Sequence, residues 1–319
     1  MDIDAKLRPL YLLQILQERT DEDNYLTTAQ LASILKQRYG MEPHRTTIKG
    51  DIEVLQQAGF GIDERRSTQN QYRYLEREFE IAELKTIIDA IASSKFIPEE
   101  KSDALIKKVT ALAGIYKAQD LKRNVVVDGR GKLENKQIFY IIDTINEAIN
   151  QHKKIRFRKI EYNVKKERVL HHGGEKYTFS PYSLVWDGDN YYVVGYSDKY
   201  ENIGSHRVDR IAEQPEILDE PAVPPKAGFS VEKYVKTTFR MYNAPRKEVE
   251  LLCDNGVMDA IIDQFGPDVH TYAGDLQNFR VIEEVAVGKV FFNWIFGFEG
   301  KVRIKAPADV KEQYRQMVE

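Results

Sequence analysis

The hydrophobic repeat of this chain changes once, near residue 155, from helix-like to strand-like, so no single fold class can serve its whole length. In the first part, Leu7, Leu10, Leu13 and Leu16 line one helical face until an acidic turn over residues 20–24 stops it. Thr27 or Thr28 then caps a second helix through Leu31, Ile34 and Leu35, which closes at Tyr39-Gly40. After Pro43 a third helix carries Ile48, Ile52 and Leu55 on one side and ends at Gly59. Ile62, a polar turn over 65–70 and the alternating Tyr72-Arg73-Tyr74-Leu75 read as a two-stranded hairpin. Helix, helix, helix, hairpin is the order of a winged helix-turn-helix, here residues 1–76.

From 79 to 150 the pattern stays helical. Its stripes are Ile81, Leu84, Ile87, Ile88 and Ile91, then Leu105, Ile106, Val109 and Leu112, then Ile138, Ile141, Ile142, Ile145 and Ile149. Pro98 leads into the second stripe and a loop is expected around 128–131. This section is expected to connect and dimerise. From 155, Ile155, Phe157 and, less cleanly, Lys159 alternate with Arg156, Arg158 and Ile160. Further strand candidates at 168–170, 176–181, 183–186, 191–196 and 205–211, with turns such as Asp187-Gly188-Asp189-Asn190, predict a small antiparallel β-barrel. Four prolines between 215 and 229 suggest a linker. The tail alternates strand (248–253), helix (258–265), strand (279–287), helix (290–298), strand (301–304) and helix (308–317), the α+β alternation of a ferredoxin-like domain.

Composition narrows the function classes. At 319 residues the chain exceeds one ordinary core. No apolar run is long enough to span a membrane, and the first residues lack a basic-then-apolar leader. A single cysteine, Cys253, rules out an intrachain disulfide and fits a reducing cytoplasm. The net charge of −3 counts against a nucleic-acid binder, but charge is uneven: residues 153–176 hold nine basic residues against three acids. The first 75 residues hold ten basic against eleven acidic ones, which also keeps a protein-docking role open.

Two constellations bear on chemistry. In Pro43-His44-Arg45-Thr46-Thr47-Ile48-Lys49-Gly50-Asp51-Ile52-Glu53-Val54-Leu55, inward packing of Ile48, Ile52 and Leu55 leaves Arg45, Thr46, Thr47 and Lys49 projecting from the first turns. A recognition helix needs that arrangement, because its first turns reach base edges and its free N–H groups meet phosphate. The alternative is a solvated helix in a generic three-helix domain. Thr28, His44 and the hairpin arginines Arg65, Arg66 and Arg73 complete the candidate DNA-binding set. The second constellation runs from Ser180-Pro181-Tyr182 through Tyr191-Tyr192-Val193 to Ser205-His206-Arg207-Val208-Asp209-Arg210-Ile211. Tyrosines beside paired arginines suit a planar anionic ligand, since rings stack on bases and guanidinium forks bind phosphate bidentately. The alternative is a barrel core in which Arg207 simply pairs with Asp209.

Catalysis and metal binding find little support. His171 and His172 are adjacent, so on a strand they face opposite sides, and no Cys or Asp cluster accompanies them. Cys253 lies in an apolar strand, and neither a Walker loop nor a dinucleotide-binding glycine fingerprint is present. The expectation is a non-enzyme with no cofactor and no metal.

The stretch 137–215 resembles a WYL domain, an Sm-like or SH3-like barrel that follows a winged helix in many bacterial transcription regulators. The family's Trp-Tyr-Leu strand falls on Tyr191-Tyr192-Val193, and its Phe-Arg-Leu-Asp-Arg-Ile falls on His206-Arg207-Val208-Asp209-Arg210-Ile211. The first 75 residues resemble the winged helix of these regulators, and the tail from about 245 their C-terminal extension. The resemblance implies a dimeric, cytoplasmic regulator that binds a double-stranded DNA operator. Its effector would be small and anionic, nucleotide-like or single-stranded nucleic acid, held by Tyr182, Tyr192, Ser205, His206, Arg207 and Arg210. His206 replaces a Phe of the family and would add a group titrating near neutral pH. The implied fold is an α+β multidomain chain: winged helix-turn-helix (1–76), helical connector (77–136), WYL barrel (137–229) and ferredoxin-like extension (230–319). The alternative function is a nucleic-acid- or nucleotide-binding adaptor whose winged helix contacts protein.

Overall fold

In the computed structural model, which describes residues 3–66, 68–123 and 137–318, the chain is a mixed α/β protein of two units, residues 1–134 and 135–319. The first unit opens with α1 (Ile3–Arg19), β1 (Leu26–Thr27), α2 (Thr28–Tyr39), α3 (Arg45–Gln57), β2 (Ile62–Arg65) and β3 (Gln71–Tyr74). A reciprocal cap starts α2: the Gln30 amide donates to Thr27 Oγ1 at 3.2 Å, and the Thr27 amide donates to Gln30 Oε1 at 2.8 Å. Gly40, with φ of 70°, ends it in the left-handed conformation that glycine adopts without steric cost. The apolar stripes meet as expected: Leu12, Ile15, Leu16, Leu31, Leu35, Ile48, Ile52 and Leu55 form one core, which Tyr72 of β3 closes. The three strands pair antiparallel in the order β1-β3-β2.

Three further helices follow: α4 (Ile81–Ser93), α5 (Glu99–Ala111) and α6 (Gly114–Arg123), the last unmarked by any stripe noted above. Arg77 ties the start of this region to α1, donating to the carbonyls of Gln17 (3.1 Å), Thr20 (2.6 Å) and Leu112 (3.1 Å). The expected loop at 128–131 lies outside the described residues.

The second unit begins with α7 (Ile138–Asn150), whose stripe of Ile138, Ile141 and Ile145 is buried. Its strands are β4 (Lys153–Arg158), β5 (Ile160–Tyr162), β6 (Arg168–Leu170), β7 (Lys176–Asp187), β8 (Asn190–Ser197), β9 (Asn202–Arg207) and β10 (Glu216–Pro221). Five of them form an antiparallel sheet in the order β10-β4-β7-β8-β9, while β5 and β6 make a separate hairpin. A bridge between Lys159 and Ile211, with the Ala212 amide donating to the Arg158 carbonyl at 2.9 Å, joins the chain beyond β9 to the end of β4. The sheet therefore curls on itself without direct pairing of its edges, β9 and β10.

Three local expectations are corrected here. The segments 176–181 and 183–186 are one strand, β7, interrupted by a bulge between Pro181 and Ser183. The stretch 205–211 is not all strand, since Val208–Arg210 forms a single 3₁₀ turn. The proline-rich segment is not simply a linker: Glu216–Pro221 is β10, where an edge position tolerates the missing N–H of Pro221.

The β7 bulge explains Gly195. A Cβ there would lie 2.1 Å from the Ser180 carbonyl oxygen and 2.7 Å from Phe179 Cε1. Backbone on one side and a buried ring on the other leave no room to yield. We expect Gly195→Ala to destabilise the unit by about 3 kcal/mol or more, read as a lower midpoint in chemical denaturation.

Beyond the sheet come α8 (Val231–Lys236), β11 (Arg246–Asp254), α9 (Met258–Phe265), β12 (Thr271–Ala273), β13 (Asn278–Ala286), α10 (Lys289–Phe296), β14 (Val302–Ala306) and α11 (Ala308–Val318). Four strands pair antiparallel in the order β12-β13-β11-β14. Val249, Leu251, Cys253 and Val281 of this sheet pack with Ile261, Phe291 and Ile295 of the helices. The short β12 carries three exposed residues, so no buried period announced it in the sequence. No helix among the described residues is long and apolar enough to cross a membrane.

Candidate nucleic-acid interface and ligand groove

In the first unit, His44 caps α3: its Nδ1 accepts from the Thr46 amide at 3.4 Å and lies 2.9 Å from Thr46 Oγ1. With Ile48, Ile52 and Leu55 buried, Arg45, Thr46 and Lys49 are exposed on the first turns and Thr47 is half-buried. Arg45 forms no ion pair among the described residues, whereas Lys49 sits 3.7 Å from Glu53. Arg65 and Arg66 are exposed at the hairpin turn, Arg66 within 3.6 Å of Glu64. The Thr28 amide donates to the Asn70 carbonyl at 3.1 Å and fastens the start of α2 to the same hairpin.

Arg73 is a correction. Alternation along β3 turns Tyr72 into the core and Arg73 toward the turn after α1. There its Nε donates to Asp63 at 2.8 Å, another N–H donates to the Glu22 carbonyl, and the guanidinium lies 4.4 Å from the centre of the Tyr25 ring. Two of its N–H groups are thereby committed inside the unit, which gives Arg73 a structural role there.

In the second unit a groove of about 1340 Å³ runs along the β9 edge, walled by residues 223–230 and by Asn243 to Arg246. Its charged lining is Lys159, Arg207, Arg210, Lys226, Lys233 and Arg246 against Glu201 and Glu284, and five rings face it, from Tyr182, Tyr196, Tyr200, Phe229 and Tyr234. Of the expected ligand residues, Tyr182, Ser205, His206, Arg207 and Arg210 line it. Tyr192 does not: it is 7% exposed and packs with Val194, Tyr234 and Met241 on the face covered by α8.

The two arginines are already compensated. Arg207 donates bidentately to Asp209 at 3.0 and 2.9 Å, and Arg210 Nε lies 3.6 Å from the same carboxylate, which is 3% exposed. Burial works against the Arg207 charge, but the hydrogen bonds and charge of Asp209 outweigh it and raise its pKa. Arg210 also lies 4.8 Å from the centre of the Tyr162 ring. Both line the groove, with roughly a third of each side chain exposed.

His206 is a second correction. Its ring meets Phe179 at 4.8 Å, Phe157 at 5.3 Å and Tyr177 at 6.1 Å. Burial, with Lys159 adding to it, pushes its pKa down to about 3, so it stays neutral where titration near pH 7 was expected. His171 and His172, which on a strand would face opposite sides, lie instead in a 3₁₀ turn, with His172 at a φ of 47°, and their rings stack at 3.8 Å. Among the described residues no group of three or more His, Cys, Asp or Glu could hold a metal. Cys253 is buried and its thiol pushed up to about 12, which suppresses the reactive thiolate.

Two groove residues were not singled out from the sequence. Asn243 Nδ2 donates to the Ser205 carbonyl at 3.0 Å and its Oδ1 accepts from the Ser205 amide at 3.1 Å, so it caps the β9 edge. Thirty-eight residues separate the two, and no local signal marks the pairing. Lys159 had a signal: a basic residue at an inward position of an alternating strand.

Residues 140–216 match the family profile of the WYL domain, and the chain carries that domain there. The proteasome accessory factor B/C (PafBC) of Arthrobacter aurescens is similar in structure, with 13% identity and a TM-score of 0.32 over 97% of this chain and 47% of that one. This chain thus spans about half of that protein's length. A protein described as a CRISPR Cas-related protein is similar with 13% identity and a TM-score of 0.39, over 100% of this chain and 85% of the other. No curated protein matches the chain.

Proposed function

We propose that this chain is a DNA-binding transcription regulator, acting as a homodimer, whose WYL domain binds an anionic, nucleotide-like effector that alters DNA binding. The observation that carries the reading is the first turns of α3, where exposed Arg45, Thr46 and Lys49 stand opposite a buried Ile48, Ile52 and Leu55 beside a hairpin with exposed Arg65 and Arg66. Three helices with a three-stranded β1-β3-β2 sheet support the reading of residues 1–76 as a winged helix-turn-helix. The order β12-β13-β11-β14, with a helix between β11 and β12 and another between β13 and β14, supports a ferredoxin-like extension. The groove supports the sensor half: six basic side chains against two acidic ones, interleaved with rings, suit phosphates and bases. Exposed Leu112, Ile115 and Tyr116 offer apolar surface for a second copy.

The test is fluorescence anisotropy on the DNA upstream of the chain's own gene across a salt series. Direct phosphate contact makes affinity fall steeply with salt, because each neutralised phosphate releases counterions. A flat salt response would favour the second reading, an adaptor whose winged helix docks on protein. The Lys49–Glu53 and Arg66–Glu64 pairs, which partly neutralise this face, lend that reading its support. Arg207→Ala is expected to keep DNA affinity within about twofold while losing the response to effector, since it removes a donor from the groove of the second unit and leaves the residues of α3 unchanged.

A further inference from the structure

Lys159 stands at the junction of β4 and β5, and its backbone fixes it there. Its carbonyl accepts from the His171 amide at 2.9 Å, and its bridge partner Ile211 directly follows Arg210. The side chain is half-buried and lines the groove, with Nζ 4.2 Å from the centre of the Tyr177 ring. The cations around it on the sheet each have a carboxylate, and the two other groove lysines without an ion pair among the described residues, Lys226 and Lys233, are exposed rather than half-buried. Lys199, 5.4 Å from the same ring, holds Glu175 at 2.7 Å; Arg158 holds Glu213 at 2.8 Å; Arg207 and Arg210 share Asp209. Lys159 forms no ion pair among the described residues.

That imbalance has a cost. A half-buried ammonium loses hydration, and a ring face returns only part of what water gave. Burial and the nearby Lys199 push the Lys159 pKa down, and Glu175 only partly offsets them. A positive charge left uncompensated at the inner wall of a concave, basic groove is relieved when an anion enters. The arginines differ: Asp209 already balances their charge, so they contribute directed donors more than net charge.

We propose that Lys159 is the groove's anion-neutralising residue, meeting the phosphate of a phosphorylated effector, while Arg207 and Arg210 position that ligand. This rests on the reading of the groove as the effector site. Phosphate is the favoured chemistry because a compact ammonium pairs with it as a point charge and the adjacent guanidiniums supply directed N–H groups. A free phosphate or the phosphate of a nucleotide presents the same group.

The full chain is titrated by calorimetry with pyrophosphate and, separately, with ATP, as wild type and as Lys159→Met, Lys159→Arg and Arg207→Ala. Wild type is expected to bind pyrophosphate, Lys159→Met to bind it about tenfold or more weakly, and Lys159→Arg to recover most of the loss. ATP binding tighter than pyrophosphate, with the same Lys159 dependence, assigns the phosphate to a nucleotide; equal binding assigns it to a free phosphate. Without ligand, Lys159→Met should melt no lower than wild type, since it removes an uncompensated charge. A marked fall in melting temperature would make Lys159 a structural cation and overturn the proposal. Equal pyrophosphate binding by wild type and Lys159→Met, with a loss in Arg207→Ala, would overturn Lys159 and leave the groove standing. No binding of either probe by wild type would overturn both.

Discussion

The double variant Arg45→Ala, Lys49→Ala is expected to lose about a hundredfold or more in affinity for the DNA upstream of its gene, while folding normally. Both side chains are exposed, and the core they leave untouched lies on the opposite face at Ile48, Ile52 and Leu55. Stability should therefore stay within about 0.5 kcal/mol of wild type. Arg45 is placed for the larger share, being a guanidinium on the first turn with no ion pair among the described residues, whereas Lys49 must give up Glu53. The salt slope should flatten with the affinity, because two fewer phosphates are neutralised. Arg73→Ala separates contact from scaffold: it should lower the melting temperature by removing the Asp63, Glu22 and Tyr25 contacts. DNA bound by the double variant as tightly as by wild type would remove α3 from the interface.

His206 gives the second large effect, in acid. Its folded pKa of about 3 lies below the ordinary 6.5, so in the intervening range the unfolded chain binds a proton that the folded chain refuses. Stability from this group is complete above pH 6.5 and is lost as pH falls toward 3, at about 1.4 kcal/mol per pH unit for the one proton. His206→Phe keeps an aromatic ring against Phe157, Phe179 and Tyr177 and cannot take up that proton. Urea midpoints measured from pH 6.5 down to about 5, above most carboxylate titrations, should fall with acid in wild type and fall less in the variant. Parallel pH dependence in the two proteins would mean that the ring finds solvent and charges within the fold.

Much of the architecture was legible because burial leaves a period. Stripes at helical spacing placed α1 to α5 and α7, and the exposed first turns of α3 followed once Ile48, Ile52 and Leu55 were taken as core. Strands with one buried face were equally readable, as at Ile155 and Phe157 of β4. What was missed lacked that signal: β12 buries nothing, and β10 hides in a proline-rich stretch because an edge strand needs only one partner. The helical stripe of α7 was legible, but not that it packs on β4 and β7.

For the sites, the sequence by itself determined which residues carry charge, rings and donors, and on which face of a local element each one falls. Arg45 and Lys49 on α3 were settled at that level, because a helix period acts over a few residues, whereas the 3₁₀ turn that lets Arg207 and Arg210 share Asp209 was not. Only the tertiary structure decided which of those charges are already spent. Arg73 meets Asp63 ten residues away and Glu22 fifty-one residues away, Asn243 closes the β9 edge from thirty-eight residues on, and Lys159 is left without a carboxylate where Lys199, Arg207 and Arg210 have theirs. Whether a charge is compensated depends on what chain folding brings within a few ångströms of it, and periodicity holds no record of that distance.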